Sequence, residues 1–140
     1  MFRKILVAND GSAGGKKALA AGIEVARRFG GELHSITVIE RPSHFAETVG
    51  EVMEEKEEGE KYFQRICSES VAEAEGEGVE LKCDVRKGHE VETILHFARD
   101  GHFDLLVVGY MGHSRILGRI WGGTSQNLTQ HAHCSVLLVK

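Results

Sequence analysis

The chain has 140 residues, 41% hydrophobic and 27% charged, with a formal net charge of −4, proportions that suit one globular domain over residues 1–140 and leave little length for a second. The acidic balance argues against non-specific nucleic-acid binding. No apolar run approaches the roughly 20 residues that cross a bilayer, and Met1-Phe-Arg-Lys4 leads straight into a strand signal without a signal-peptide core, so a cytoplasmic protein with no membrane partner is expected.

In chain order, Ile5 to Ala8 is a short continuous apolar run, the pattern of a strand covered on both faces. Asp10-Gly-Ser12 turns the chain, Ser12 is placed to cap a helix, and Leu19, Ile23, Ala26 and Phe29 form one apolar helical stripe that Gly30-Gly31 ends. The spacing predicts a helix over 13–29. Leu33 to Ile39 reads as a second strand, broken by Arg41-Pro42. A long acidic helix follows, with Val52, Met53, Phe63, Ile66, Cys67, Val71 and Ala74 at helical spacing before Gly76 and Gly78. Residues 47–77 hold eleven glutamates against Lys56, Lys61 and Arg65, so the negative charge is local and reads as that helix's wet face. Val79 to Val85 predicts a third strand, Val91, Ile94, Leu95 and Ala98 a third helix, and Leu105 to Val108 a fourth buried strand. A helix from Gly123 to His131, with Leu128 and Ala132 inward, and a strand from Ser135 to Val139 complete the chain.

Strict β-α alternation with apolar strands implies an open, parallel, doubly wound α/β sheet with helices on both faces. Ligands of such sheets bind beyond the carboxyl ends of the strands, where the strand order reverses. Three segments fall there: Ala8-Asn9-Asp10, Val38-Ile39, and the stretch from Gly109. They converge if the first and fourth strands are neighbours, as in a flavodoxin-like or 3-2-1-4-5 order.

The stretch from Gly109 carries the strongest chemical signal. Gly109-Tyr-Met-Gly112 is followed after nine residues by Gly122-Gly123-Thr124-Ser125, which opens the last helix. Glycines let backbone approach phosphate oxygens, and the free N–H groups of a helix start favour an anion. Arg115 and Arg119, with His113 nearby, would add positive charge for a polyphosphate, or are solvated loop residues. Each residue has a plainer reading: the glycines as tight turns, Asp10 as a helix cap in competition with Ser12, Val38 and Met111 as ordinary packing.

Taken together, Lys4-Ile-Leu-Val-x-x-Asp10-x-Ser12, Gly88, Asp104-Leu-Leu-Val-Val-Gly109, the glycine pattern and His131-Ala-x-Cys134-x-Val136-Leu-Leu-Val139 resemble the nucleotide-binding subgroup of the universal stress protein family over nearly the whole chain. The resemblance implies a three-layer α/β/α sandwich of the adenine nucleotide alpha hydrolase type, with a five-stranded parallel sheet of order 3-2-1-4-5. It implies an ATP site (or one for AMP or ADP), Mg2+ bound through the phosphates, and a homodimer formed through the last strand. It also implies a role as a stress-response sensor or switch. Carried over by position, Ala8, Asn9 and Asp10 would meet adenine and ribose, and Val38 would line the base pocket. Gly109, Met111 and Gly112 would border the ribose and first phosphates, and Gly122, Gly123, Thr124 and Ser125 would hold the outer phosphates. One departure stands out: the family pattern has Ser or Thr directly after the third motif glycine, where this chain has Gly123. A missing neutral hydrogen bond weakens binding by about 0.5–1.5 kcal/mol. Gly14-Gly15, in the first turn of the first helix, is expected to loosen that end of the site, at about 1 kcal/mol for each glycine relative to Ala.

The three cysteines, Cys67, Cys83 and Cys134, are widely spaced and flanked by apolar residues with no Cys-x-x-Cys pair, which predicts buried free thiols. His131-x-His133-Cys134 offers three ligand types in four residues, but successive side chains at a helix-to-strand junction diverge, so no metal site is expected. No residue is assigned a catalytic role. Asn9-Asp-Gly-Ser12 is not the Ser-Gly-Gly-x-Asp loop of adenylyl-transferring relatives, and His-x-Gly-His is missing. Two alternatives to a nucleotide-binding switch remain: a nucleotide-independent dimeric scaffold and a slow ATPase.

Overall fold

A computed structural model describes residues 1–40, 49–110 and 123–140, with side chains in the second helix from residue 57 onward. Its elements run β1 (Lys4–Ala8), α1 (Ala13–Phe29), β2 (Glu32–Ile39), α2 (Val49–Gly76), β3 (Leu81–Lys87), α3 (Glu90–Asp100), β4 (Leu105–Gly109), α4 (Gly123–His131) and β5 (Ser135–Val139). All strand pairs are parallel and the sheet order is β3-β2-β1-β4-β5. The expected doubly wound α/β topology is therefore the observed one. The ends agree closely, except that β3 starts at Leu81 rather than Val79, because the Val79 amide closes the end of α2 by donating to the Ala74 carbonyl (2.9 Å).

The period-two geometry of a strand divides β1 between two cores. Ile5 and Val7 pack with Leu19, Ile23 and Ala26 of α1 and Ala74 of α2. Leu6 packs with Ile94 and Ala98 of α3 and Leu128 of α4. Helices thus cover both faces, and each large apolar side chain fully buried between them contributes about 1.5–3 kcal/mol. Helix α1 starts as its sequence indicates, with Ser12 Oγ accepting from the Gly15 amide (3.1 Å), and ends at Gly30 with φ 64°. Phe29 departs from its predicted inward stripe. It is 49% exposed and, as the helix's last residue, reaches past the sheet to meet Phe2 edge-on, with ring centroids 5.6 Å apart.

Helix α2 docks on a narrow stripe. Of its described side chains only Ile66, Ser70 and Ala74 are buried, one per turn, and its glutamates from residue 57 onward are solvated except where Glu60 approaches Lys87. What apolar burial leaves undone, a covalent bond supplies: Cys67 is joined to Cys83 of β3, with Cα atoms 5.8 Å apart and a sequence separation of 16. This overturns the expectation of free thiols for that pair. The pairing is a tertiary contact between a helix face and an edge strand, which spacing along the chain does not encode. Closing a loop of this size stabilises a fold by about 3 kcal/mol in the chain-entropy account. Cys134 remains a free, partly buried cysteine.

Candidate functional site

The strand order reverses between β1 and β4, whose register pairs end at Val7 and Val107. Asn9, one residue past β1, and Gly109, the last residue of β4, stand two positions beyond those pairs, at the switch point where ligands of such sheets bind. Its geometry depends on contacts that only very small residues permit. A Cβ on Gly109 would overlap the backbone of Gly14, and one on Gly15 would lie 2.7 Å from Asn9 Oδ1 and 2.9 Å from Asp10 Oδ1. Gly14 and Gly15 are both buried. The Gly14-Gly15 pair therefore tightens this end of the site instead of loosening it, because α1 can start directly on the end of β4.

The turn after β1 is held from several sides. The Asn9 amide donates to Ile36 O (3.0 Å) and its carbonyl accepts from the buried Thr37 hydroxyl (2.7 Å). Asn9 Oδ1 accepts from the Gly11 amide (3.0 Å), and Asn9 Nδ2 donates to Ser70 Oγ of α2 (3.1 Å), whose own hydroxyl donates to Ile66 O (2.6 Å). Asn9, 3% exposed, thus bolts the strand end to α2. Asp10 Oδ1 accepts from both the amide (2.9 Å) and the hydroxyl of Ser12. The competition between Asp10 and Ser12 resolves into a relay: Asp10 orients the Ser12 hydroxyl, and Ser12 caps α1. Tyr62 Oη of α2 donates to the Asp10 carbonyl (3.2 Å).

Ala8 and Val38 lie on the opposite side of the sheet from the Asn9 side chain. Ala8 pairs with Ile36, so Val38, two residues on, continues the same row past the end of β1. Both are partly buried against the core formed with α3 and α4. At the far wall, Ser125, 7% exposed, donates its hydroxyl to Gly109 O (2.7 Å) and ties the first turn of α4 to the end of β4. Thr124 Oγ1 donates to Glu90 Oε2 at the start of α3 (3.4 Å). Among the described residues, leaving aside its chain neighbours and its own helix backbone, nothing lies within 4 Å of the Cβ position of Gly123. The first-turn amides of α4, which no carbonyl within the helix can satisfy, are therefore not screened by a side chain at Gly123.

Ala8, Asn9, Asp10, Val38, Gly109, Thr124 and Ser125 are thus gathered at the carboxyl ends of β1, β2 and β4 and the start of α4. Gly123 stands one residue before Thr124. Met111, Gly112 and Gly122, together with Arg115, Arg119 and His113, lie outside the described residues. Sequence reasoning missed Tyr62, Ser70 and Thr37, which support the turn. Thr37 did leave a trace, as a polar residue between Ile36 and Val38 in the apolar second half of β2. Tyr62 and Ser70 left none, because their contacts with residues 9–10 exist only once α2 is docked.

Beneath the same turn, on the α1–α2 side, lies a cleft of about 220 Å³ bordered by Lys16, Arg65, Glu69 and Glu73. Asn9 and Gly11 of the turn line it as well, so it lies directly against the support of the β1 end. Among the described residues no group of three His, Cys, Asp or Glu side chains is placed to hold a metal ion, and no helix is long and apolar enough to cross a membrane. Burial pushes the Cys134 thiol up from its ordinary pKa, which disfavours a thiolate nucleophile.

Sheet order and helix placement define a doubly wound α/β protein with its topological switch point between β1 and β4. The universal stress protein family model matches residues 1–140, and the chain belongs to that family. It is 31% identical over 154 residues to universal stress protein YxiE of Bacillus subtilis, with 100% of both chains covered. Among solved structures, universal stress protein UspA from Lactobacillus plantarum superposes with a TM-score of 0.89 at 20% identity, covering 99% of this chain and 98% of that one. A universal stress protein solved in complex with cAMP superposes with a TM-score of 0.78 at 26% identity, covering 99% and 97%.

Proposed function

We propose that the chain binds an adenine nucleotide, ATP or its AMP and ADP relatives, in the crevice between β1 and β4 and acts as a stress-response sensor or switch. The observation that carries this reading is the Gly109 junction. There β4 ends against the first turn of α1, and the Ser125 hydroxyl holds the start of α4 beside it. The residues fit the group: a helix start without a side chain at Gly123 suits phosphate oxygens, the Ala8–Val38 row is an apolar floor for a base, and Asp10 suits a ribose hydroxyl. Gly109, Met111 and Gly112 would border the ribose and first phosphates, and Gly122, Gly123, Thr124 and Ser125 the outer ones. Asn9 acts from behind, as the support of the strand end. Mg2+ would be held through phosphate oxygens and water, which need no carboxylate cage. The relative solved with cAMP supports an adenine ligand. Isothermal titration with ATP and Mg2+ is expected to show saturable binding with a rise in melting temperature; no heat and no shift at millimolar nucleotide overturns the reading.

The edge strand β5 supports a homodimer. It carries Leu137 at 37% exposure and, among the described residues, is bonded on one side only, to β4; a second copy of the strand would cover both. A second reading, a dimeric scaffold indifferent to nucleotide, is favoured by Gly123 in place of a hydroxyl residue. Nucleotide retained through gentle purification, seen by native mass spectrometry, separates the two.

A further inference from the structure

Helix α2 grips the turn after β1 with three residues spaced one turn apart. Tyr62 donates to the Asp10 carbonyl, Ile66 packs on Gly11, and Ser70 accepts from Asn9. Next to Ile66 in sequence, about 100° round the helix from this row, Cys67 is bonded to Cys83 of β3. The helix has little else to hold it, since Ile66 and Ala74 are its only buried apolar side chains among those described. A covalent tie in a weakly packed segment governs how often that segment opens, because local opening is limited by the few contacts that must break. Both cysteines are partly exposed residues, neither sealed in the core. Cys134 cannot replace either partner without large rearrangement, since it precedes β5 on the sheet edge opposite β3.

We propose that Cys67 and Cys83 are a reversible redox pair whose oxidation state sets how firmly α2 holds the Asn9–Gly11 turn and, with it, the affinity of the crevice for nucleotide; the nucleotide part rests on the reading above. Oxidation proceeds by exchange with a low-molecular-weight disulfide. One protein thiolate attacks a sulfur of that disulfide, forms a mixed disulfide and expels one small thiol; the second protein thiolate then displaces the other. Two protein thiols lose two electrons and two protons, and one small disulfide becomes two small thiols. Excess thiol runs the same steps in reverse.

The test compares full-length protein oxidised with glutathione disulfide, the same protein reduced with dithiothreitol, and Cys67→Ser and Cys83→Ser in both buffers. Alkylation is expected to find one reactive thiol per oxidised chain and three after reduction. Amide hydrogen exchange at residues 9–11 and 62–74 is expected to be about tenfold faster in the reduced protein. ATP titration is expected to show a dissociation constant roughly three- to tenfold weaker, a change of 1.4 kcal/mol or less. Both serine variants should behave as reduced in either buffer. Equal exchange in the oxidised and reduced proteins, or failure of the pair to oxidise, overturns the inference. If ATP binds neither form, the nucleotide-binding reading falls and takes the affinity effect with it; exchange at residues 9–11 still decides whether the disulfide controls the turn.

Discussion

The hydroxyl of Ser125 donates to the carbonyl of Gly109 across 2.7 Å, joining the first turn of α4 to the last residue of β4. Both ends of the glycine-rich stretch are thereby held at one point of the sheet edge. Ser125→Ala removes the donor from a partly buried carbonyl and is expected to destabilise the fold by about 1 kcal/mol, with ATP affinity falling in parallel. Denaturant unfolding and calorimetric titration of the variant check both parts, and an unchanged midpoint would show that the bond does not contribute.

Gly123 opens α4 without a side chain, and among the described residues outside its own helix turn nothing lies within 4 Å of its Cβ position. Gly123→Ser is therefore expected to fold as well as the parent and to tighten ATP binding by about 0.5–1.5 kcal/mol, or up to roughly tenfold. Titration of the two proteins side by side measures it. Weaker binding in the serine variant would mean that the side chain blocks the first-turn amides instead of joining them.

Asn9 and Ser70 form a buried pair between β1 and α2. Truncating either leaves a desolvated partner, so Asn9→Ala and Ser70→Ala should each cost about 1–3 kcal/mol. The double variant should cost less than the sum, with a coupling of roughly 0.5–3 kcal/mol. Additive losses in urea titrations would show that the two act independently.

At the opposite end of the sheet, the His34 ring and then the Lys82 ammonium hold the Glu32 carboxyl down at about 2. A depressed carboxylate stabilises above its unfolded pKa, and that contribution is lost as pH falls through the folded value. Because Glu32 is exposed, the effect is below about 1 kcal/mol. Glu32→Gln should therefore lower the melting temperature slightly at pH 7, and the gap to the parent should shrink from about pH 4.5 down to about pH 2. A gap that widens on acidification would contradict the assignment.

Leu137 on β5 tests the assembly. In Leu137→Lys a charge replaces an exposed apolar side chain on an edge strand, and a charge there discourages strand pairing. The parent is expected to run as a dimer in native mass spectrometry and the variant to shift toward monomer at the same micromolar concentration. A monomeric parent would rule out β5 as the contact.

Most elements were readable from residue order, and the reasons are local. The alternation of helical and extended periodicity, the Ser12 cap and the Gly30 stop concern neighbours in the chain, and α1 has the limits 13–29 that its stripe indicated. That residues 8–10, 38 and 109 would gather at one edge was readable for a similar reason, since a doubly wound sheet brings the carboxyl ends of its strands together where the strand order reverses. Residues whose meaning depends on a distant partner were not legible. Gly14 and Gly15 read as helix defects until β4 and Asn9 were found against them, and Phe29 read as core until the helix outran the sheet.

Periodicity, capping and turn chemistry act through bonds to near neighbours, which is why the order of elements, the α/β class and the kinship with universal stress proteins follow from the string of residues. Packing chose the rest: which helix face meets which strand, hence that Cys67 meets Cys83, that Asn9 turns toward Ser70, and that Ser125 closes on Gly109. Those contacts join residues 16 to 61 positions apart. Their distances are set by the docking of whole elements in three dimensions, so no spacing along the chain announces them.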